Sequence, residues 1–515
     1  MPRLALLLAV LTLAACSRPE SQTPSPALFV TDSTQWPEDR FALDQTSTHL
    51  RTLASDDMMG RDPGTPGGDA AAQYIAEQFR AAGVQPMDGA DEYFQYVPLA
   101  EQRPAEVGLL MWNATTFEQG ATLLVMGGPA TDIEAEAVDA GFATPEDLDA
   151  VDVDGKIAFV RFGQPDDQSL GGALRAMTGK ASRLAEADAA GVVEVYQGGR
   201  PLATVIGTLQ SGRLALSAGS PTLPYVWVTD AEGGLLAQAE AGDLGTMRLQ
   251  SSGMQTIDRT SPNVVGLIEG TDPALRDQYL LLMAHYDHIG AGLDKRGATP
   301  ADSIFNGARD NGMGTVAVIN AAHAFAEAPP RRSVIVLAVT AEESGLIGSR
   351  YFVDNPLVAL DDIVYVLNID NGGYNDTSIV TVVGLGRTTA DRHLEAGAAR
   401  YGLGAIADPS PGEGLFNRSD NVNFARAGIP APTFSAGFRA FDAEIMKYYH
   451  QAADEADEHF DFAYLLTFTQ AYTHAARLIA NDDEAPFWVA DDPYEAAGKA
   501  LYNRQPWPSR SGGGR

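Results

Sequence analysis

The stretch Ile335–Ser349 reads IVLAVTAEESGLIGS, an apolar run that closes in two adjacent glutamates, Glu342 and Glu343. Like charges that close repel unless a proton or a cation lies between them. Either both side chains point into water, or the protein holds a cation that the sequence does not show. The pattern recurs along the chain. The run QYLLLMAHYDHIG ends in His285, Asp287 and His288. FNGARDNGMG offers Asp310 among glycines at the start of a helical pattern, VLNIDNGG offers Asp370, and KYYHQAADEAD offers His450. Taken singly, such a histidine or aspartate reads as a loop residue or cap, and a Glu-Glu pair as a solvated face. Their joint occurrence changes the reading. Mixed imidazole and carboxylate donors suit zinc. Two hydrolytic zinc ions need a bridging carboxylate, with the ions about 3.5–4 Å apart.

These residues need a scaffold that brings distant strand ends together. SPNVVGLIEG, QYLLLMAHYDHIG, SVIVLAVTAEE and DIVYVLNIDNGG are continuous Val/Ile/Leu runs bounded by turns, the mark of strands buried on both faces. Helical patterns such as GMGTVAVINAAHAFAEA and YLLTFTQAYTHAARLIAND alternate with them, which predicts an α/β domain: a mixed, mostly parallel sheet between helix layers. In such sheets ligands gather beyond the carboxyl ends of the strands. Upstream, Ala71, Tyr74, Ile75, Phe79 and Ala82 keep helical spacing over 70–82, and Gly83 is placed to end that helix. Between about 106 and 255 the character shifts to short β-like runs (IAFVRFG, GVVEVY, LPYVWVT) around one helical stretch, KASRLAEADAA, with no histidine anywhere. The chain therefore reads as one α/β domain over 36–105 and 256–485, interrupted by a smaller β-rich domain over 106–255 and followed by an extension over 486–515 whose tail, SRSGGGR, is expected to be disordered.

With 515 residues, 45% hydrophobic and 20% charged, the composition is globular. A formal net charge of -33 argues against nucleic-acid binding, because phosphates would be repelled; its plain reading is a solubilising surface. The start, MPRLALLLAVLTLAAC, has one basic residue, a short apolar core and small residues before Cys16. That core is too short to span a bilayer, which takes about 20 residues, and fits a secretory signal over 1–15. Leu13-Ala14-Ala15-Cys16 resembles a bacterial lipobox, which implies a lipid on Cys16, attachment to a membrane, and export to the cell envelope facing the periplasm or the outside. Cys16 is also the single cysteine, so no intramolecular disulfide forms. The Pro/Ser-rich stretch over 16–35 reads as a flexible tether. No oligomeric state follows from the pattern.

HYDHIG, GARDNGMG, AEESGLIGS, LNID, FNRSDNVNFARAGIP and YYHQAADE, with LASDDMMGRDPGTPGG and EYFQYVPL upstream, together resemble the secreted two-zinc aminopeptidases, whose catalytic domain is often split by a protease-associated (PA) insert. DVDGKIAFVRFG, KASRLAEADAAGVVEVY and LPYVWVTDAEG resemble that insert. The resemblance implies that His285 and Asp370 bind one zinc ion, Glu343 and His450 the other, and Asp310 both. It implies peptide substrates and Glu342 as general base. Asp287, two residues from His285, is expected to point to the same face of the strand and accept the imidazole N–H. His288 is expected to be supporting or structural. Asn421 stands where the family often has histidine. Tyr448 and Tyr449 read as packing, and His49, His323, His393, His459 and His474 as structural or exposed. Two rivals share the fold: a single-zinc glutaminyl cyclase, and a catalytically dead binding protein. Retention of all five ligand positions and of Glu342 argues against both.

Overall fold

The computed structural model describes residues 39–503, apart from residues 40, 200, 210–212, 218–221, 231–232 and 294. The expected signal peptide, Cys16, the tether and the C-terminal tail lie outside the described residues. In chain order the strands are β1 (Phe94–Arg103), β2 (Gly108–Trp112), β3 (Thr115–Glu118), β4 (Leu123–Gly127), β5 (Thr131–Asp139) and β6 (Ile157–Arg161). Then come β7 (Gly191–Val195), β8 (Arg213–Leu216), β9 (Tyr225–Val228), β10 (Thr246–Ser251), β11 (Gln255–Ile268) and β12 (Tyr279–His285). The last are β13 (Ser333–Val339), β14 (Ile363–Ile369), β15 (Ile379–Val383), β16 (Gly404–Ala407) and β17 (Thr433–Ala436).

Nine strands form one mixed sheet in the order β16-β15-β17-β14-β12-β13-β11-β1-β8. Its centre, β13-β12-β14-β17, is parallel. The apolar runs are buried on both faces because alternate residues serve two cores. Leu280, Leu282, Val334, Val336 and Leu367 face the helices Pro66–Ala82, Met313–Glu327 and Phe462–Asn481. Leu281, Met283, Ile335, Leu337 and Val366 face Phe352 and Phe424 on the other side. The helix begins at Pro66, capped by the Thr65 hydroxyl, and stops at Gly83 with φ +82°, the left-handed turn that favours glycine. Register then does the positioning. Ala284 pairs with Ala338 on one side and with Ile369 on the other, so His285, the turn after Val339, and Asp370 emerge at one level.

Strands β2–β7, β9 and β10 make a second sheet, ordered β3-β2-β10-β5-β6-β7-β9-β4. The helix Leu170–Glu186 packs on it through Ala173, Met177, Ala181 and Leu184. Its centre holds a buried ion pair: Lys180 Nζ donates to Glu194 Oε1 at 2.7 Å, while Trp227 Nε1 and Tyr225 Oη donate to Oε2. Buried charges persist where every lone pair is used in this way. One strand of this region departs from the expected independent domain. β8 leaves the second sheet and pairs antiparallel with β1 at the edge of the first, Leu99 opposite Leu216. The reason is apolar: Leu214 and Leu216 pack on a cluster of Val97, Leu99, Ala341 and Ile347. In the C-terminal segment Trp488 is buried, its Nε1 donating to the Gly428 carbonyl. No helix among the described residues is long and apolar enough to cross a membrane.

Candidate metal centre

His285 is the last residue of β12, and its Nε2 lies 3.5 Å from Asp310 Oδ1 and 3.5 Å from Asp370 Oδ1. His450 Nε2 lies 3.0 Å from Glu343 Oε2 and 3.3 Å from Asp310 Oδ2. The two oxygens of Asp310 thus face two imidazoles, each flanked by one further carboxylate. His288 joins the second group, its Nδ1 2.7 Å from Glu343 Oε1. Two sets of donor atoms compact enough for a cation result, His285/Asp310/Asp370 and His288/Asp310/Glu343. His288 and His450 both reach Glu343, but only His450 repeats the arrangement of His285, with Nε2 on Asp310 and on a second carboxylate. All five residues the sequence singled out as metal ligands are therefore brought together.

Asp287 departs from its expected contact. The ring Nδ1 of His285 lies 3.2 Å from the Asp287 carbonyl oxygen, and the Asp287 carboxylate is 3.9 Å away. That carboxylate accepts instead the backbone N–H groups of Glu342 and Glu343, at 3.1 and 3.3 Å. β12 ends at His285, so the strand alternation behind the expectation no longer applies two residues later. Asp287 fixes the glutamate turn rather than the imidazole. That turn explains how two adjacent side chains share one cleft: β13 stops at Val339, and Ala341 takes φ +54°.

Other supports carried no signal as single residues. The Asp454 carboxylate accepts the backbone N–H of Asp310 and both the N–H and the guanidinium of Arg309, at 2.9–3.1 Å. Buried Arg61 donates to the carbonyls of Tyr286, Asn306 and Gly307, tying the His285 strand end to the Asp310 loop. Gly307, with φ +53°, sits so close that a Cβ there would meet the His288 ring at 2.6 Å and the Asp310 carbonyl oxygen at 2.2 Å. Both Asp454 and Arg61 lie inside quoted motifs (YYHQAADEAD, DDMMGRDPG), which was the only trace of them. Asn421 turns away, donating to the Ala431 carbonyl. Asp420 accepts from Ser349 Oγ at 2.5 Å. Tyr449 does more than pack: it stacks on the His450 ring at 4.0 Å between centroids and lines the cleft. Tyr448 packs under the Arg309 guanidinium. His49 is buried with its Nδ1 2.8 Å from Tyr74 Oη, His393 pairs with Asp482, and His459 is exposed.

Asp287, Asp310, Glu342, Glu343, Asp370 and Asp420 crowd six carboxylates around the imidazoles of His285, His288 and His450. Burial, with Glu343 nearby, pushes Asp287 up to about 8. Burial also raises Asp310 and lifts Asp420 to about 7. Glu342 rises well above the usual carboxylate range through burial and the neighbouring Asp370, Asp420 and Glu343. Burial opposes ionisation of Glu343, but His450 and His288 outweigh it and hold the group well below its usual range. His450 is raised to about 10: burial works against its charge, and Glu343 and Asp310 prevail. An excess of buried negative charge is what a cation would balance. The nitrogens fit one as well: His285 Nε2 and His288 Nε2 are buried and make no hydrogen bond to the described protein.

Imidazoles and carboxylates converging at the carboxyl ends of parallel strands have the make-up of a metallohydrolase centre. Residues 263–475, which contain every site residue named from the sequence, match the model of Peptidase family M28. The chain is 23% identical over 351 residues to aminopeptidase YwaD of Bacillus subtilis, an alignment covering 67% of this chain and 64% of that protein. It is 30% identical over 120 residues to a vacuolar membrane protease of Lachancea thermotolerans, covering 23% of this chain and 11% of that protein. The chain thus spans a little under two thirds of the first relative and about a tenth of the second. The solved structure of an aminopeptidase from Aneurinibacillus sp. strain AM-1 superposes with a TM-score of 0.54 at 20% identity, covering 87% of this chain and 96% of that one. That likeness shows the mixed α/β fold.

Proposed function

We propose that this chain is a two-zinc exopeptidase that removes N-terminal residues from peptides. The observation that carries the reading is Asp310, whose two oxygens face His285 and His450 separately. On this reading His285 and Asp370 hold one ion, Glu343 and His450 the other, and Asp310 joins them. When bound, the metal supplies Lewis-acid polarisation of a carbonyl and acidification of water. Glu342 takes a proton from the attacking water and gives it to the leaving amine. Its side chain makes no hydrogen bond to the described protein, which leaves it free for that transfer. Asp287 holds Glu342 by its backbone N–H, and Asp454 holds the Asp310 loop. Tyr449 keeps the His450 ring in place by stacking.

The relatives named as an aminopeptidase and a protease support peptide hydrolysis, and the donor chemistry supports zinc. The second donor group supports the peptidase over a single-zinc cyclase. We read the second sheet as a PA insert, and Cys16 as a lipid anchor that places the enzyme in the cell envelope. The test is elemental analysis of the purified protein together with aminoacyl-nitroanilides and N-blocked peptides. We expect two zinc ions per chain, hydrolysis that a chelator abolishes, and no cleavage of blocked peptides. One zinc with no hydrolysis would refute the reading, as would none.

A further inference from the structure

One cleft, about 1380 Å³ in all, takes in the donor cluster and a groove framed by two pieces of the insert. One wall is the helix Leu170–Glu186, where Gly171, Leu174, Arg175 and Thr178 line the groove at the spacing of one helical face. The other wall is β8, where Leu214, Ala215 and Leu216 all line it. Consecutive residues of a strand point to opposite faces. Three in a row bordering one groove fits a groove that runs along the edge of the strand. β8 is the last strand of its sheet, with β1 on one side and no paired strand on the other among the described residues. An unpaired edge presents a row of backbone N–H and C=O groups. This edge also lies beside the chemistry. Leu214 and Leu216 pack on the cluster of Val97, Leu99, Ala341 and Ile347, whose last two members bracket the turn holding Glu342 and Glu343.

We propose that the free edge of β8 binds the substrate as an added strand, with the residues on the leaving-group side of the scissile bond extended along it. The inference rests on the exopeptidase reading, and that reading supplies the occupant. An enzyme that removes one N-terminal residue keeps all the rest of its peptide on the leaving-group side, so a groove that opens from the donor cluster receives that portion. Recognition through the backbone gives affinity with little demand on side chains. The insert then contributes directly to substrate binding, by lending a strand to the catalytic sheet.

The pairing has a signature that a general apolar groove lacks. In an added strand only every second residue directs its N–H to the edge. A hexapeptide series, each member N-methylated at one of residues three to six, is assayed with the zinc-loaded enzyme. We expect kcat/KM to fall by about 2- to 12-fold, one hydrogen bond's worth, at two alternate positions and to hold at the two between them. Cleavage with a flat or steadily declining profile overturns the added strand and leaves the exopeptidase reading standing. An unmethylated peptide left intact overturns that reading, and this one with it.

Discussion

Glu342 and Glu343 are neighbours in sequence and should fail in different ways. The Glu342 side chain makes no hydrogen bond to the described protein, so Glu342→Gln removes a proton acceptor and little else. Glutamine keeps the shape and hydrogen-bonding capacity and takes one carboxylate out of a buried acidic cluster, so the melting temperature should not fall. The loss of a general acid–base group costs about 10²–10⁴ in kcat, or roughly 3–5 kcal/mol of barrier. Because the loss lies in the transition state, KM should change much less. Glu343 is different: its two oxygens lie 2.7 Å from His288 Nδ1 and 3.0 Å from His450 Nε2. Glu343→Gln weakens two charge-assisted contacts, each worth about 1.5–3 kcal/mol, and withdraws an anionic donor from one cation site. It should bind fewer than two zinc ions and melt lower. Elemental analysis, calorimetry and steady-state kinetics on both variants decide the matter. If Glu342→Gln sheds a zinc ion, or keeps more than a tenth of the parental kcat, the assignment of roles is wrong.

Asp454→Asn should weaken the hold on the Asp310 loop and lower zinc affinity by about 10–100-fold, the usual effect of losing a residue that orients metal ligands, as a chelator competition titration would show. Gly307→Ala forces a Cβ into the His288 ring at a left-handed φ, so it should destabilise by more than about 1 kcal/mol and reduce zinc content together; a variant with parental melting and metal would contradict the close approach. His49, desolvated beside His323, has its pKa pushed down from 6.5 to about 4. Between those values the unfolded chain binds a proton that the folded chain refuses, so stability is present above about 6.5 and declines as pH falls towards 4, by on the order of 3 kcal/mol. Urea titrations of the parent and of His49→Gln from pH 7 to 4.5 should therefore diverge, with the parent losing more; parallel curves would dismiss the effect.

The sequence by itself singled out the candidate donors and the strands that carry most of them. His285, Asp310, the Glu342–Glu343 pair and Asp370 each follow an apolar run or open a helical one, and both periods are local properties of the chain. His450 follows no strand; its residue type in KYYHQAADEAD made it a candidate, and the likeness of YYHQAADE to a family motif gave it a role. Other contacts were beyond reach because they join residues far apart in sequence. Arg61 reaches the carbonyls of Asn306 and Gly307, and Asp454 reaches the backbone of Asp310. Asp287 was placed by extending strand alternation beyond the point where the strand stops. His288 entered the second donor group only through the turn that carries Glu343 to it. Strand β8 was not singled out from the sequence, and its choice of sheet depends on an apolar cluster built from β1 and from the segment after β13. Periodicity specifies which residues face a core and where a strand ends. Which strands become neighbours, and so which oxygen of Asp310 meets which imidazole, depends on packing among segments hundreds of residues apart, and only the tertiary structure decides it.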